Sequence, residues 1–267
     1  MKRALVTLAA ALFVVAAASV AATGGSDLRF EPAPLNRLDV ESLRRGARTF
    51  VNYCLNCHSA RYMRYNRLVD LGIDEAMVRD NLMFATDKIG ETMTAAMTPQ
   101  QAKTWFGTVP PDLTVIARVR GADWLYNYFL GFYRDERSAT GWNNLVFPNV
   151  GMPHVLWRLS GTNKLVSTEY EDHEKAQAGL IAARGLALLA PAHNQKFVVE
   201  TLAIDTPGTL TPPQYMSMVA DLVNFLDYMA EPNKNYRITV GLAVLAYLIV
   251  LFVVAYWLKR EYWKDVH

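Results

Sequence analysis

Residues 54–58, Cys54-Leu55-Asn56-Cys57-His58, carry the pattern C-x-x-C-H. That pattern attaches c-type haem: the two thiols add to vinyl groups of the macrocycle, and the adjacent imidazole lies close enough to bind iron from one face. A thioredoxin-like thiol pair is the competing reading, but such a pair follows a strand in a βαβ unit and does not need the histidine. A zinc site would need a fourth ligand, and no second C-x-x-C or paired histidine supplies one. Cys54 and Cys57 are the only cysteines in the 267 residues, so haem attachment leaves no thiol for a disulfide.

Upstream, Leu43, Ala47, Phe50, Val51 and Cys54 recur at spacings of three and four behind Asp39, which predicts a capped helix running into the cysteines. Downstream, the sixth position on the iron has to be filled. A thioether favours ferrous iron and raises the potential, so methionine is the residue type to look for. Met63 follows His58 by five residues and stays on the same side of the haem. Met216, Met218 and Met229 fall on a helical stripe, where methionine is more often core filling. Met77, Met83, Met93 and Met97 lie in polar or threonine-rich surroundings and stay open as ligands. Met152 is the best placed, in Pro148-Asn149-Val150-Gly151-Met152-Pro153-His154. There Gly151 lets backbone approach the ring and Pro153 fixes the chain after the ligand. His154 is the rival ligand, although a hydrogen-bonded or surface histidine is the plainer account of it.

Tyr215, Met218, Val219, Leu222, Phe225, Leu226 and Met229 form one apolar stripe behind Pro212-Pro213, which predicts a second helix opened by proline. Asp123 to Tyr133 reads as a third, with Trp124, Leu125 and Tyr128 as core residues. Between them proline and glycine interrupt the chain, and no set of alternating segments predicts a large sheet. The expected architecture is mostly helical, with long loops wrapped around a cofactor.

Composition and charge narrow the partners. With 52% hydrophobic and 19% charged residues the chain is neither disordered nor a small disulfide scaffold. Of 27 basic and 25 acidic residues, five basic and two acidic ones sit at the extreme ends, leaving 22 against 23 between. A near-neutral middle has no footprint for phosphate backbones, which excludes nucleic acid as a partner. Residues 1–22 combine a basic start, a long apolar run and small residues at Val20-Ala21-Ala22, the pattern of an export signal, with an uncleaved anchor as the alternative. Ile238 to Leu258 holds 21 residues without a charge, enough for a helix to cross a hydrocarbon core of about 30 Å. Tyr256 and Trp257 stand at its end, and Lys259, Arg260 and Lys264 follow, which places the C-terminus in the cytoplasm. The expected division is a signal segment 1–22, an exported cytochrome domain 23–230, a linker 231–237, a membrane helix 238–258 and a cytoplasmic tail 259–267. Glu169, Glu171, Asp172 and Glu174 form a local acidic group, read as a solvated face before a docking patch.

Four stretches together resemble the cytochrome c1 family in its compact bacterial form. They are Cys54 to Tyr65, Pro110-Pro111-Asp112-Leu113 with Ile116, Arg118 and Arg120, Gly151 to Trp157, and Asp221 to Pro232 leading into the apolar helix. Phe106-Gly107-Thr108 departs from the Asn-Gly-Ala that many members carry, and the loop before Pro110 is shorter than in mitochondrial relatives. The resemblance implies a mostly α, class I-like c-type cytochrome domain with long loops around one covalently attached haem and a single C-terminal membrane helix. It implies Cys54 and Cys57 as attachment sites, His58 and Met152 as axial iron ligands, and Arg120 as partner of a haem propionate. It further implies an electron-transfer subunit of the cytochrome bc1 complex, itself no enzyme, with cytochrome b, the Rieske iron-sulfur protein and a cytochrome c acceptor as partners. The complex would be dimeric, in the bacterial inner membrane, with the haem domain periplasmic. The alternatives are a membrane-tethered monohaem cytochrome serving a terminal oxidase or other reductase, and an open-haem peroxidase or gas-binding protein.

Overall fold

A computed structural model describes residues 27–264 apart from 184, 194 and 195. The signal segment 1–22 lies outside the described residues. The chain divides into two compact units, residues 30–165 with 202–267 and residues 166–201 with the stretch up to Arg29.

In the larger unit the frame is a crossing of two helices, α1 (Val40–Thr49) and α8 (Pro212–Ala230). Asp39 caps α1 by accepting from the Ser42 amide at 3.0 Å, as its position before the apolar repeat predicts. A π-helical turn, Phe50–Cys54, carries α1 into the cysteines. The N-terminus of α8 is closed by a Thr211/Gln214 capping box with proline in the first turn. Leu43, Ala47 and Phe50 bury against Leu222, Phe225 and Leu226, with the Phe50 and Phe225 ring centroids 5.7 Å apart. Gly46 sits at the closest approach, where a Cβ would lie 2.1 Å from the Asp221 carbonyl oxygen. Arg45 grips the Asp221 carboxylate with Nε at 2.6 Å and Nη2 at 3.0 Å. Arg37 pairs with Asp227 and donates to the Glu231 carbonyl at 2.9 Å.

Shorter elements fill the space between. They are β2 (Ala60–Arg64), a 3-10 turn Tyr65–Leu71, α2 (Glu75–Leu82), β3 (Thr92–Met93), α3 (Pro99–Phe106), α4 (Ile116–Arg120) and α5 (Ala122–Leu130). The third predicted helix therefore stops at Leu130, short of Tyr133. Gly131 follows it, and the chain turns into β4 (Phe132–Arg134), which pairs antiparallel with β5 (Trp142–Asn144). A single turn, α6 (Trp157–Ser160), precedes the strands below.

A four-stranded sheet forms that no set of alternating segments in the sequence foretold. Its order is β1-β7-β8-β6, from β1 (Asp27–Arg29), β7 (Ala187–His193), β8 (Lys196–Pro207) and β6 (Gly161–Tyr170). The strands escaped notice because they cover little core: along β6 only Gly161 is buried, so no apolar residue recurs at every second position. In the smaller unit, α7 (His173–Ala182) lays Ala176 and Leu180 on Ala187, Leu189 and Val199. Asp172 caps α7 by accepting from the Lys175 amide at 2.7 Å, and Arg29 donates to carbonyls at its other end, Ile181 at 2.7 Å among them.

The final helix, α9 (Lys234–Tyr262), begins inside the expected linker 231–237, which contracts to Glu231–Asn233. Residues 236–262 of α9 are long and apolar enough to cross a membrane, and among the described residues none buries the most apolar stretch.

Candidate haem site

The cysteine pair occupies the turn that ends the first helix. The amides of Cys57 and His58 both donate to the Cys54 carbonyl, at 3.1 and 2.8 Å, which curls the five residues tightly. Cys54 is buried, and burial, with Cys57 beside it, pushes its thiol up to about 12; burial raises Cys57 as well. Redox-active thiols need the reverse, a depressed value that exposes thiolate, so these two suit a covalent role better than disulfide exchange. Cys57 is half-buried and opens onto a cavity of about 370 Å³ lined also by Ser59, Arg61, Thr98, Pro110 and Asp112.

The Pro110-Pro111-Asp112-Leu113 segment pins this turn from the opposite side. Leu113 donates its amide to the Ser59 carbonyl at 2.8 Å, and the Asp112 carboxylate accepts from the Arg61 amide at 2.9 Å. Most telling is His58, whose Nδ1 lies 2.8 Å from the Pro111 carbonyl oxygen. A carbonyl only accepts, so Nδ1 carries the proton and Nε2 keeps its lone pair. Burial lowers the His58 pKa, partly offset by the Pro111 bond and by Asp112, which favours the neutral form that a metal ligand requires.

Met152 lies in a loop fixed by two buried asparagines. The Asn143 side-chain oxygen accepts from the amides of Asn144 and Asn149, both at 2.8 Å. Asn144 donates to the Tyr128 carbonyl at 2.7 Å and accepts from the amides of Val146 and Phe147. Asn149, at φ 59°, is the residue that turns the loop, a left-handed conformation asparagine tolerates. Gly151 faces Thr108 and Phe106, where a Cβ would sit 3.4 Å from Thr108 Cγ2. The departure at 106–108 thus packs on the Met152 loop. The Met152 sulfur accepts from the Tyr128 hydroxyl at 3.4 Å.

Of the other sequence candidates, Met97 lines the cavity beside Cys57. Met63, Met93 and Met229 are core residues, and Met77 is exposed. His154 is buried, stacked on Phe132 at 4.7 Å, and its Nε2 is taken by Ser160 at 2.8 Å; burial pushes its pKa down to about 4. Arg120 is exposed on the last turn of α4, its guanidinium 4.9 Å above the Trp124 ring, and among the described residues no carboxylate pairs with it. Glu169 pairs with Lys196 at 2.6 Å and Asp172 caps α7, so half of the acidic group has structural work. Sequence reasoning did not see the Pro111 carbonyl, Asn143 or the Tyr128 hydroxyl as parts of the site. Only Tyr128 left a sign, because a buried phenol needs an acceptor.

Two thiols on one turn, an imidazole whose Nε2 keeps its lone pair and a thioether on a fixed loop are residues that could hold a c-type haem, and one long apolar helix fits a single-pass membrane protein. The sequence profile of the Cytochrome C1 family matches residues 30–184 and 208–266, and the chain belongs to that family. It is 43% identical to a protein named cytochrome c1 from Allochromatium vinosum over 263 residues, 97% of this chain and 98% of the relative. It is 42% identical over 256 residues to one named ammonia monooxygenase gamma subunit from Nitrosomonas europaea, covering 96% and 97%. A cytochrome c1 from Rhodospirillum rubrum is 25% identical over 288 residues, 99% of this chain and 97% of the relative. Members of the family carry one covalent c-type haem and serve as electron-transfer subunits of the membrane-bound cytochrome bc1 complex, and so does this chain.

Proposed function

We propose that the chain takes one electron at a time from the Rieske iron-sulfur protein and passes it to a cytochrome c, packed beside cytochrome b in a dimeric complex. Bound haem supplies reversible one-electron ferric/ferrous chemistry. Cys54 and Cys57 would hold the macrocycle covalently, and His58 Nε2 and the Met152 sulfur would supply its two iron ligands. The Pro111 carbonyl keeps His58 in the ligating tautomer, and the Asn143 and Asn144 amides hold the Met152 loop. Arg120, whose guanidinium meets no carboxylate among the described residues, is free to grip a propionate bidentately. No substrate bond is made or broken in this chain, so it is no enzyme on its own. The haem-bearing residues up to 230 face the periplasm, α9 crosses the bacterial inner membrane, and Lys259, Arg260 and Lys264 hold the C-terminus in the cytoplasm. Residues 1–22 direct export.

The observation that carries this reading is His58 Nδ1 on the Pro111 carbonyl at 2.8 Å, because it joins the two sequence stretches a haem ligand needs. The test is purification of the C-terminally tagged chain from gently solubilised native membranes, followed by a reduced-minus-oxidised spectrum. Haem b and an iron-sulfur protein are expected to accompany the c-type signal. Haem c alone, from membranes handled so that complexes survive, overturns the bc1 assignment and favours a tethered carrier. Replacement of Met152 by alanine is expected to lower the potential and open the iron to carbon monoxide; an unaltered potential removes Met152 from the iron.

A further inference from the structure

We propose that the Tyr128 hydroxyl donates a hydrogen bond to the Met152 sulfur and thereby raises the reduction potential of the iron that this sulfur ligates. The inference rests on Met152 being the axial ligand and adds a positioning residue to that site.

The hydroxyl lies 3.4 Å from the sulfur, within reach of an O–H···S bond. Tyr128 is fixed on every side. Its ring stacks on Trp124 at 5.0 Å and meets Phe129 and Phe132 edge-on at 5.6 and 5.1 Å, and its carbonyl is held by Asn144. The residue is buried, and among the described residues the Met152 sulfur is the acceptor its hydroxyl has. A thioether has two lone pairs, so binding iron with one leaves the other for the phenol proton, which stays on its oxygen throughout.

The direction follows from charge. A donor on the sulfur withdraws electron density and makes it a poorer ligand. Ferric iron carries one more positive charge than ferrous iron and loses more by this, so the ferrous state is favoured.

Tyr128→Phe keeps the ring and removes the proton. The midpoint potential is expected to fall while the weak near-infrared band of the methionine–iron bond persists. At a fixed applied potential the ferric-to-ferrous ratio should rise by up to about fivefold, what a hydrogen bond of about 1 kcal/mol supplies. A potential that is unchanged or higher overturns the proposal, as does loss of the band, since the shift is claimed at constant ligation. Met152→Lys provides the second arm, because an amine bound to iron has no lone pair left to accept. In that background Tyr128→Phe is expected to leave the potential unmoved, and an equal fall there overturns the proposal by making the effect one of general polarity. Failure of the ligand assignment itself reads differently: the near-infrared band is then missing from the unaltered protein.

Discussion

Asp135 fixes which way the Asn143 amide faces. Its carboxylate accepts from Asn143 Nδ2 at 3.0 Å, leaving the amide oxygen to receive the two backbone groups that shape the Met152 loop. The Asn143 bond, followed by those from Arg137, holds the Asp135 carboxyl down at about 2, below its ordinary 3.8. A depressed carboxyl stabilises the fold above its unfolded value, and that stability is lost as pH falls through the folded one. The thermal midpoint is therefore expected to drop between about pH 4 and pH 2, and Asp135→Asn to show a shallower drop on the same titration. Asn143→Ala leaves the buried Asn144 amide without an acceptor, at about 1–3 kcal/mol, and releases the part-buried Asn149 amide, and should weaken methionine ligation, visible as a fainter near-infrared band. Little of this was legible in the sequence. Met152 stood out because glycine and proline flank it, whereas Asn143 and Asp135 are ordinary turn residues whose partners lie six and eight positions away. The left-handed residue of that loop, Asn149, was not legible either, since sequence alone does not distinguish it from its neighbours.

The crossing of α1 and α8 was far more legible, because both helices carry apolar stripes at helical spacing and start with strong capping signals. The contact between them was not, since it depends on Gly46 having no side chain. Gly46→Ala is expected to cost about 1–3 kcal/mol, because the clashing atoms are the Asp221 carbonyl and the Phe225 Cβ, and backbone cannot move aside as a flexible side chain can. Differential scanning calorimetry should register this as a melting temperature lower by several degrees; an unchanged value would mean the helices can separate freely. The sheet is the opposite case. β7 and β8 lie largely in residues 185–207, the stretch the family profile leaves unmatched, and cover a small core of five buried residues. So small a core demands only a few apolar positions, too few to set a period of two.

At the scale of the whole chain, the apolar stretch 238–258 was the easiest part to read, since a run of 21 uncharged residues has few meanings in a protein. Ending the chain at Ala230 is expected to release a haem protein from alkaline-washed membranes with its c-type difference spectrum unchanged. Retention on the membrane would instead locate an anchor in residues 1–22. What sequence overestimated was the length of the connection, because Lys234 and its neighbours are polar yet already helical.

That shortening limits movement. Only Glu231, Pro232 and Asn233 separate α8 from α9, and even Glu231 is held, by Arg37 through its carbonyl and by Arg237 through its carboxylate at 2.6 Å. Three residues extend to roughly 10 Å at most. On so short a leash the residues before α9 cannot range far from the start of that helix, and any shuttling of electrons over a distance falls to a partner rather than to this chain.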